Sequence, residues 1–127
     1  MLHLIKKLPS VLFVPLILLG QVDYNTEIQP IFNNNCGNCH LGNSSGGLNL
    51  SNYENAMTGG NSGAVVEPGD HANSYLWQRV DDGSMPPGNN PDLSAGQINL
   101  IAQWIDEGAL ETPASNDVVI TFQVDFN

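Results

Sequence analysis

Two cysteines stand three positions apart and a histidine follows at once, in the run Cys36-Gly37-Asn38-Cys39-His40, and the chain has no other cysteine. This pattern constrains the chain more than any other feature. Two thiols at that spacing at a helix start can each add to one vinyl group of a haem, and the adjacent imidazole is then held under the iron. The apolar supply points the same way. The 127 residues are 41% hydrophobic, but thirteen of those side chains lie in residues 1–20, which leaves about 36% for the remainder. So small and thinly apolar a domain needs a staple such as a disulfide set, a metal or a bound cofactor. One covalent haem c would fill the centre of such a core.

Other chemistries fit the motif less well. A redox dithiol of thioredoxin type requires a strand–helix–strand pattern that the sequence lacks. A zinc site built from Cys36, Cys39, His40 and His71 would use adjacent residues as ligands, which strains a tetrahedral shell. With haem, His40 supplies one axial ligand, and Met57, His71 and Met85 compete for the other. Met85 is favoured because Gly83-Ser84-Met85-Pro86-Pro87 is a proline-stiffened loop that can hold a thioether at a fixed distance. Met57 falls in a short helix as a packing residue, and His71 falls at the surface. The cofactor-binding set is therefore Cys36, Cys39, His40 and Met85, with His40 and Met85 on the metal, and no catalytic residue is assigned.

Lys6 and Lys7 precede an apolar run, Leu8 to Leu19, broken by Pro9, Ser10 and Pro15 and closed by Gly20. This reads as a signal peptide over residues 1–21. It is too short and too proline-broken to favour an uncleaved membrane span. The haem domain is then assigned to residues 22–111. Residues 112–127 read as a linker and a strand, with Val118, Ile120, Phe122, Val124 and Phe126 alternating onto one face. A lone apolar strand is an aggregation hazard, so the favoured reading is the start of a truncated following β domain. Packing against the haem domain or pairing between chains is the alternative.

Four helices are expected between Asn- and Gly-rich loops. The first starts near Thr26 with Ile28, Ile31 and Phe32 on one face and Pro30 in its first turn. Ser51-Asn52-Tyr53-Glu54 reads as a capping box opening a second helix that ends at Gly59-Gly60. A third spans Ala72 to Val80. The last starts at the capping box Ser94/Gln97, carries the stripe Ile98, Ile101, Ala102 and Ile105, and stops at Gly108. Phe32 and Trp104 are the expected meeting point of the first and last helices.

Three Lys+Arg against 13 Asp+Glu give a net charge of −10, which disfavours nucleic acid as a partner. After the leader the one basic residue is Arg79. Such a field either steers encounter with basic surfaces on redox partners or serves solubility alone.

From Tyr24 to about Glu111 the chain resembles a small class I c-type cytochrome of the planctomycete exported kind. The resemblance is carried by Ile28-Gln29-Pro30-Ile31-Phe32 before the C-x-x-C-H motif, then Gly47-Leu48-Asn49-Leu50-Ser51, Pro68-Gly69-Asp70 and Ser74-Tyr75-Leu76. Met85-Pro86-Pro87 and Trp104-Ile105-Asp106-Glu107-Gly108-Ala109 complete it. It implies an all-α fold of three or four helices around one haem, with His40 and Met85 as iron ligands. It also implies single-electron transfer between exported redox proteins, in the periplasm or at the bacterial cell surface, often within a larger multidomain chain. The other functional classes in view are a haem enzyme or gas sensor with a labile distal Met85, and a structural adaptor in which haem serves only as a staple.

Overall fold

The computed structural model describes residues 20–114. Their helices are a five-residue π-helical turn, Tyr24–Ile28, then α1 (Gln29–Asn35), α2 (Gly37–His40), α3 (Tyr53–Thr58), α4 (Tyr75–Asp81) and α5 (Ala95–Asp106), with 3₁₀ turns at Ser45–Gly47 and His71–Asn73. No strand occurs among the described residues, and no helix among them is long and apolar enough to cross a membrane. The fold is all-α, as the sequence implies. Residues 1–19 of the leader and the alternating segment after residue 117 lie outside the described residues.

The first helix begins earlier than its apolar spacing suggests. Asp23 caps it by accepting from Thr26 N at 2.8 Å, and Glu27 reaches back to accept from Asp23 N at 2.8 Å. Gln29 N–H then donates to Tyr24 O, a π-type bond, just ahead of Pro30, which lacks the N–H that an α turn would use to reach Thr26 O. Tyr24 thereby enters the core. Its ring packs edge-on against Phe32 at 6.1 Å and Tyr53 at 5.2 Å, and at a tilt against Trp104 at 5.3 Å. The first and last helices thus meet through Tyr24, where the sequence suggested Phe32 on Trp104. Tyr24, Ile28, Phe32, Ile101, Trp104 and Ile105 are all essentially fully buried; burial of an apolar side chain of this size contributes roughly 1.5–3 kcal/mol. Burial, with Glu111 nearby, pushes the Tyr24 phenol well above its ordinary pKa.

Helix α5 forms as its sequence dictates. The Ser94/Gln97 capping box is reciprocal. At the other end Gly108, at φ +108°, sends its N–H to Ile105 O, and Ala109 N–H reaches Trp104 O at 2.9 Å, a Schellman stop. That stop turns the chain back beneath the core. Tyr53 Oη donates to Ala109 O, Trp104 Nε1 to Leu110 O, and Tyr24 N to Glu111 O.

Two expected helix starts are corrected. Asn52, not Ser51, caps α3, because its Oδ1 accepts from Asn55 N at 2.8 Å while Ser51 Oγ accepts from the Asn55 side chain. The helix expected from Ala72 to Val80 is broken at Ser74, which is extended (φ −84°, ψ 114°) and fully buried. Its hydroxyl accepts from Glu67 N at 2.8 Å and donates to Asp70 O at 2.9 Å, and its N–H closes the 3₁₀ turn on His71 O, so the α-helix starts only after it.

Ser74→Ala should leave the Glu67 amide without its partner and cost about 1–3 kcal/mol, read as a lower denaturant midpoint with an unchanged slope. A second expectation concerns Asp106, which accepts from His71 N at 3.0 Å and pairs with His71 Nδ1 at 2.8 Å. The backbone hydrogen bond, then the His71 side chain, holds the Asp106 pKa below its usual value. A carboxylate with a depressed folded pKa stabilises the fold above its unfolded pKa, and that contribution is lost as pH falls through the lower folded value. Asp106→Asn should therefore lower Tm at neutral pH by the equivalent of under about 1 kcal/mol, since the pair is exposed, and the difference from wild type should shrink on acidification.

Candidate haem site

Helical geometry sets the spacing of the motif. Cys36 closes α1, with its N–H on Phe32 O, and its carbonyl accepts from both Cys39 N and His40 N as α2 begins. Cys36, Cys39 and His40 therefore lie on one short turn, and both thiols are free and half-buried. Burial, then the charge of Cys39, pushes the Cys36 thiol up to about 11. A dithiol oxidoreductase needs the opposite, a nucleophilic cysteine with a lowered pKa. The zinc alternative also fails on geometry. Among the described residues no three His, Cys, Asp or Glu side chains are placed to hold a metal ion, and His71 is engaged with Asp106 and meets Trp77 edge-on at 4.6 Å.

His40 borders a cleft of about 650 Å³, and Met85 borders the same cleft. The sequence separates them by 45 residues; the fold brings imidazole and thioether to one space. Leu48, Val65 and Leu76 supply apolar wall, and Tyr75 and Arg79 of α4 supply another side. The volume lies within the range of sites for cofactor-sized ligands. A narrower niche, bordered by Cys36, Cys39, His40, Met85, Pro86 and Pro87, adjoins it. Met57 and His71 border neither space, and Met57 packs half-buried against the core.

Backbone hydrogen bonds orient the two candidate ligands. His40 Nδ1 lies 3.1 Å from Leu48 O. A carbonyl can only accept, so Nδ1 carries the proton and Nε2 of the neutral ring keeps its lone pair. The segment that offers Leu48 is itself fixed, since Leu50 N donates to His40 O and Gln29 Nε2 donates to Leu50 O, each at 2.8 Å. On the other side, Met85 N donates to Arg79 O at 2.9 Å, which gives a partner to a last-turn carbonyl of α4. Ser84 Oγ adds a bond to the same carbonyl at 3.2 Å, and Asp82 accepts from Ser84 N at 2.8 Å.

Three contributors were not assigned a role from the sequence. Asn38, inside the motif, donates to Asn90 Oδ1 at 3.1 Å, and Asn90 donates to Pro87 O at 2.8 Å, which ties α2 to the Met-Pro-Pro loop. Leu48 acts through its carbonyl, which no side-chain pattern reveals. The third is the glycine wall: Asn61 N donates to Gly46 O, Gly60 and Gly63 exchange backbone bonds, and a Cβ on Gly59 (φ +83°) would run into the Gly63 carbonyl. The glycines of these loops carry the signal, since only residues without a Cβ permit that approach.

The residues present fit a haem: two thiols on one turn, an imidazole with its lone pair free, a thioether bordering the same cleft, and an unpartnered buried donor, Nε of Arg79, a further residue of that cleft. Comparison with known families agrees. Residues 36–89 match the family model described as planctomycete cytochrome C. No curated protein and no solved structure matches the chain. The matched stretch starts at the first cysteine of the motif and runs just past Met85-Pro86-Pro87, so over residues 36–89 the chain is similar to that cytochrome c family.

Proposed function

We propose that the protein is an exported monohaem electron carrier in which Cys36 and Cys39 hold one haem c by thioether bonds and His40 and Met85 are its axial ligands. The observation that carries this reading is that His40 and Met85 border one cleft while both cysteines border the niche beside it. The bound group would supply a one-electron couple at its exposed edge. The chain's own residues do the rest. Leu48 O fixes the His40 ring and its tautomer, and the Arg79 carbonyl fixes the Met85 backbone. With His40 and Met85 both holding the iron no vacancy would be left for a substrate, which favours a carrier over an enzyme, and a thioether ligand would raise the reduction potential relative to two histidines.

The net charge of −10 favours redox partners with basic docking faces, so that association weakens with added salt. Lys6, Lys7 and the apolar run that follows favour export to the periplasm or cell surface. The alternating segment at residues 118–127 favours a role as one domain of a larger exported protein.

Expression with a working export and haem-attachment system should yield a mature chain whose mass includes one haem that survives acid extraction. Cys36→Ala with Cys39→Ala should remove it. Met85→Ala should abolish the sulfur-to-ferric-iron charge-transfer band, lower the potential by on the order of 0.1 V, and open the iron to carbon monoxide, whereas Met57→Ala should do none of these. Rapid carbon monoxide binding by the wild type would put the enzyme or sensor reading first.

A further inference from the structure

We propose that Arg79 binds the carboxylate edge of the cofactor and so joins that edge to the Met85 loop. The proposal rests on the haem reading above. Arg79 is the one Lys or Arg after Lys7 in the whole chain, and its side chain borders the cleft that His40 and Met85 share. Its Nε is buried and has no hydrogen-bond partner. The guanidinium carbon lies 5.5 Å from the centre of the Tyr75 ring, another cleft residue, which holds the group in place without using its in-plane donors.

Among the described residues no carboxylate pairs with it. The one ion pair among the described residues is His71–Asp106. Asp82, which feels the Arg79 charge, gives its carboxylate to the Ser84 amide and hydroxyl. A buried guanidinium donor without an acceptor is costly, and a planar carboxylate is the group that its fork of N–H donors fits. Haem c carries two such carboxylates and the acidic chain offers them no other Lys or Arg beyond the leader. The opposite end of the same residue is already committed: Arg79 O accepts from Met85 N and Ser84 Oγ. One residue of α4 would then hold the carboxylate edge through its side chain and the thioether loop through its backbone.

The test uses holo-protein with covalent haem verified by mass, as wild type, Arg79→Gln and Arg79→Lys. Resonance Raman bending modes of the haem carboxylates report their hydrogen bonding directly. The wild-type mode should sit at the hydrogen-bonded frequency, move to the solvent-exposed frequency in Arg79→Gln, and move part of the way in Arg79→Lys. The reduction potential should fall in Arg79→Gln, since removing a cation favours the more positive oxidised state, and should be largely restored in Arg79→Lys. A wild-type mode already at the solvent-exposed frequency, or an Arg79→Gln spectrum and potential identical to wild type, would overturn the assignment of Arg79 and leave the haem reading intact. A wild type without covalent haem would overturn both. Should Arg79→Gln fail to mature, the wild-type frequency and the shift in Arg79→Lys decide the matter alone.

Discussion

One hydrogen bond, from His40 Nδ1 to the carbonyl of Leu48, fixes which nitrogen of the imidazole is free and which way the ring faces. That bond requires the chain after the motif to return across α2, and the 3₁₀ turn at Ser45–Gly47 with the Leu50–His40 backbone bond makes it do so. Gln29 on α1 holds the same segment from the other side. The ring of His40 is therefore set by the main chain of the Leu48–Leu50 segment, which the side-chain amide of Gln29 steadies, and the carbonyl on which it depends is itself backbone.

The apolar residues are divided between two tasks. Tyr24, Phe32, Tyr53 and Trp104 build an aromatic centre that joins the start of the chain's helices to their end. Leu48, Val65 and Leu76 face the cleft instead. A chain with so few apolar side chains can support both because α5 concentrates Ile101, Trp104 and Ile105 on one face and its Schellman stop brings Ala109 and Leu110 back under the same rings.

Legibility in the sequence followed the physical source of each feature. Helix α5 was readable in full, since its cap, stripe and stop are all local. The motif residues and Met85 were readable as candidates because thiols, imidazole and thioether at such positions have few other uses. The break at Ser74 was not readable: it is made by hydrogen bonds to Glu67 and Asp70, and a serine inside an apolar-periodic stretch looks like a helix residue until those partners are seen. The Ser51 cap failed for a related reason, since Asn52 caps equally well and lies one residue nearer. Tyr24 was missed as the centre of the core because the helix that carries it starts from Asp23, ahead of the first apolar repeat. Partners that are backbone carbonyls, such as Leu48 O and Arg79 O, leave no side-chain signature.

The two ends of the described chain lie side by side. Tyr24 N–H meets Glu111 O at 3.1 Å, Val22 N–H meets Glu107 Oε2 at 2.7 Å, and Ala114 N–H meets Gln21 Oε1 at 2.7 Å. None of these residues borders the cleft. A unit whose entrance and exit coincide, away from its working face, can be grafted into a surface loop of a host protein or have its ends rejoined and reopened elsewhere. The stitching at residues 21–24 and 107–114 is thus a modular joint that uses no residue bordering the cleft.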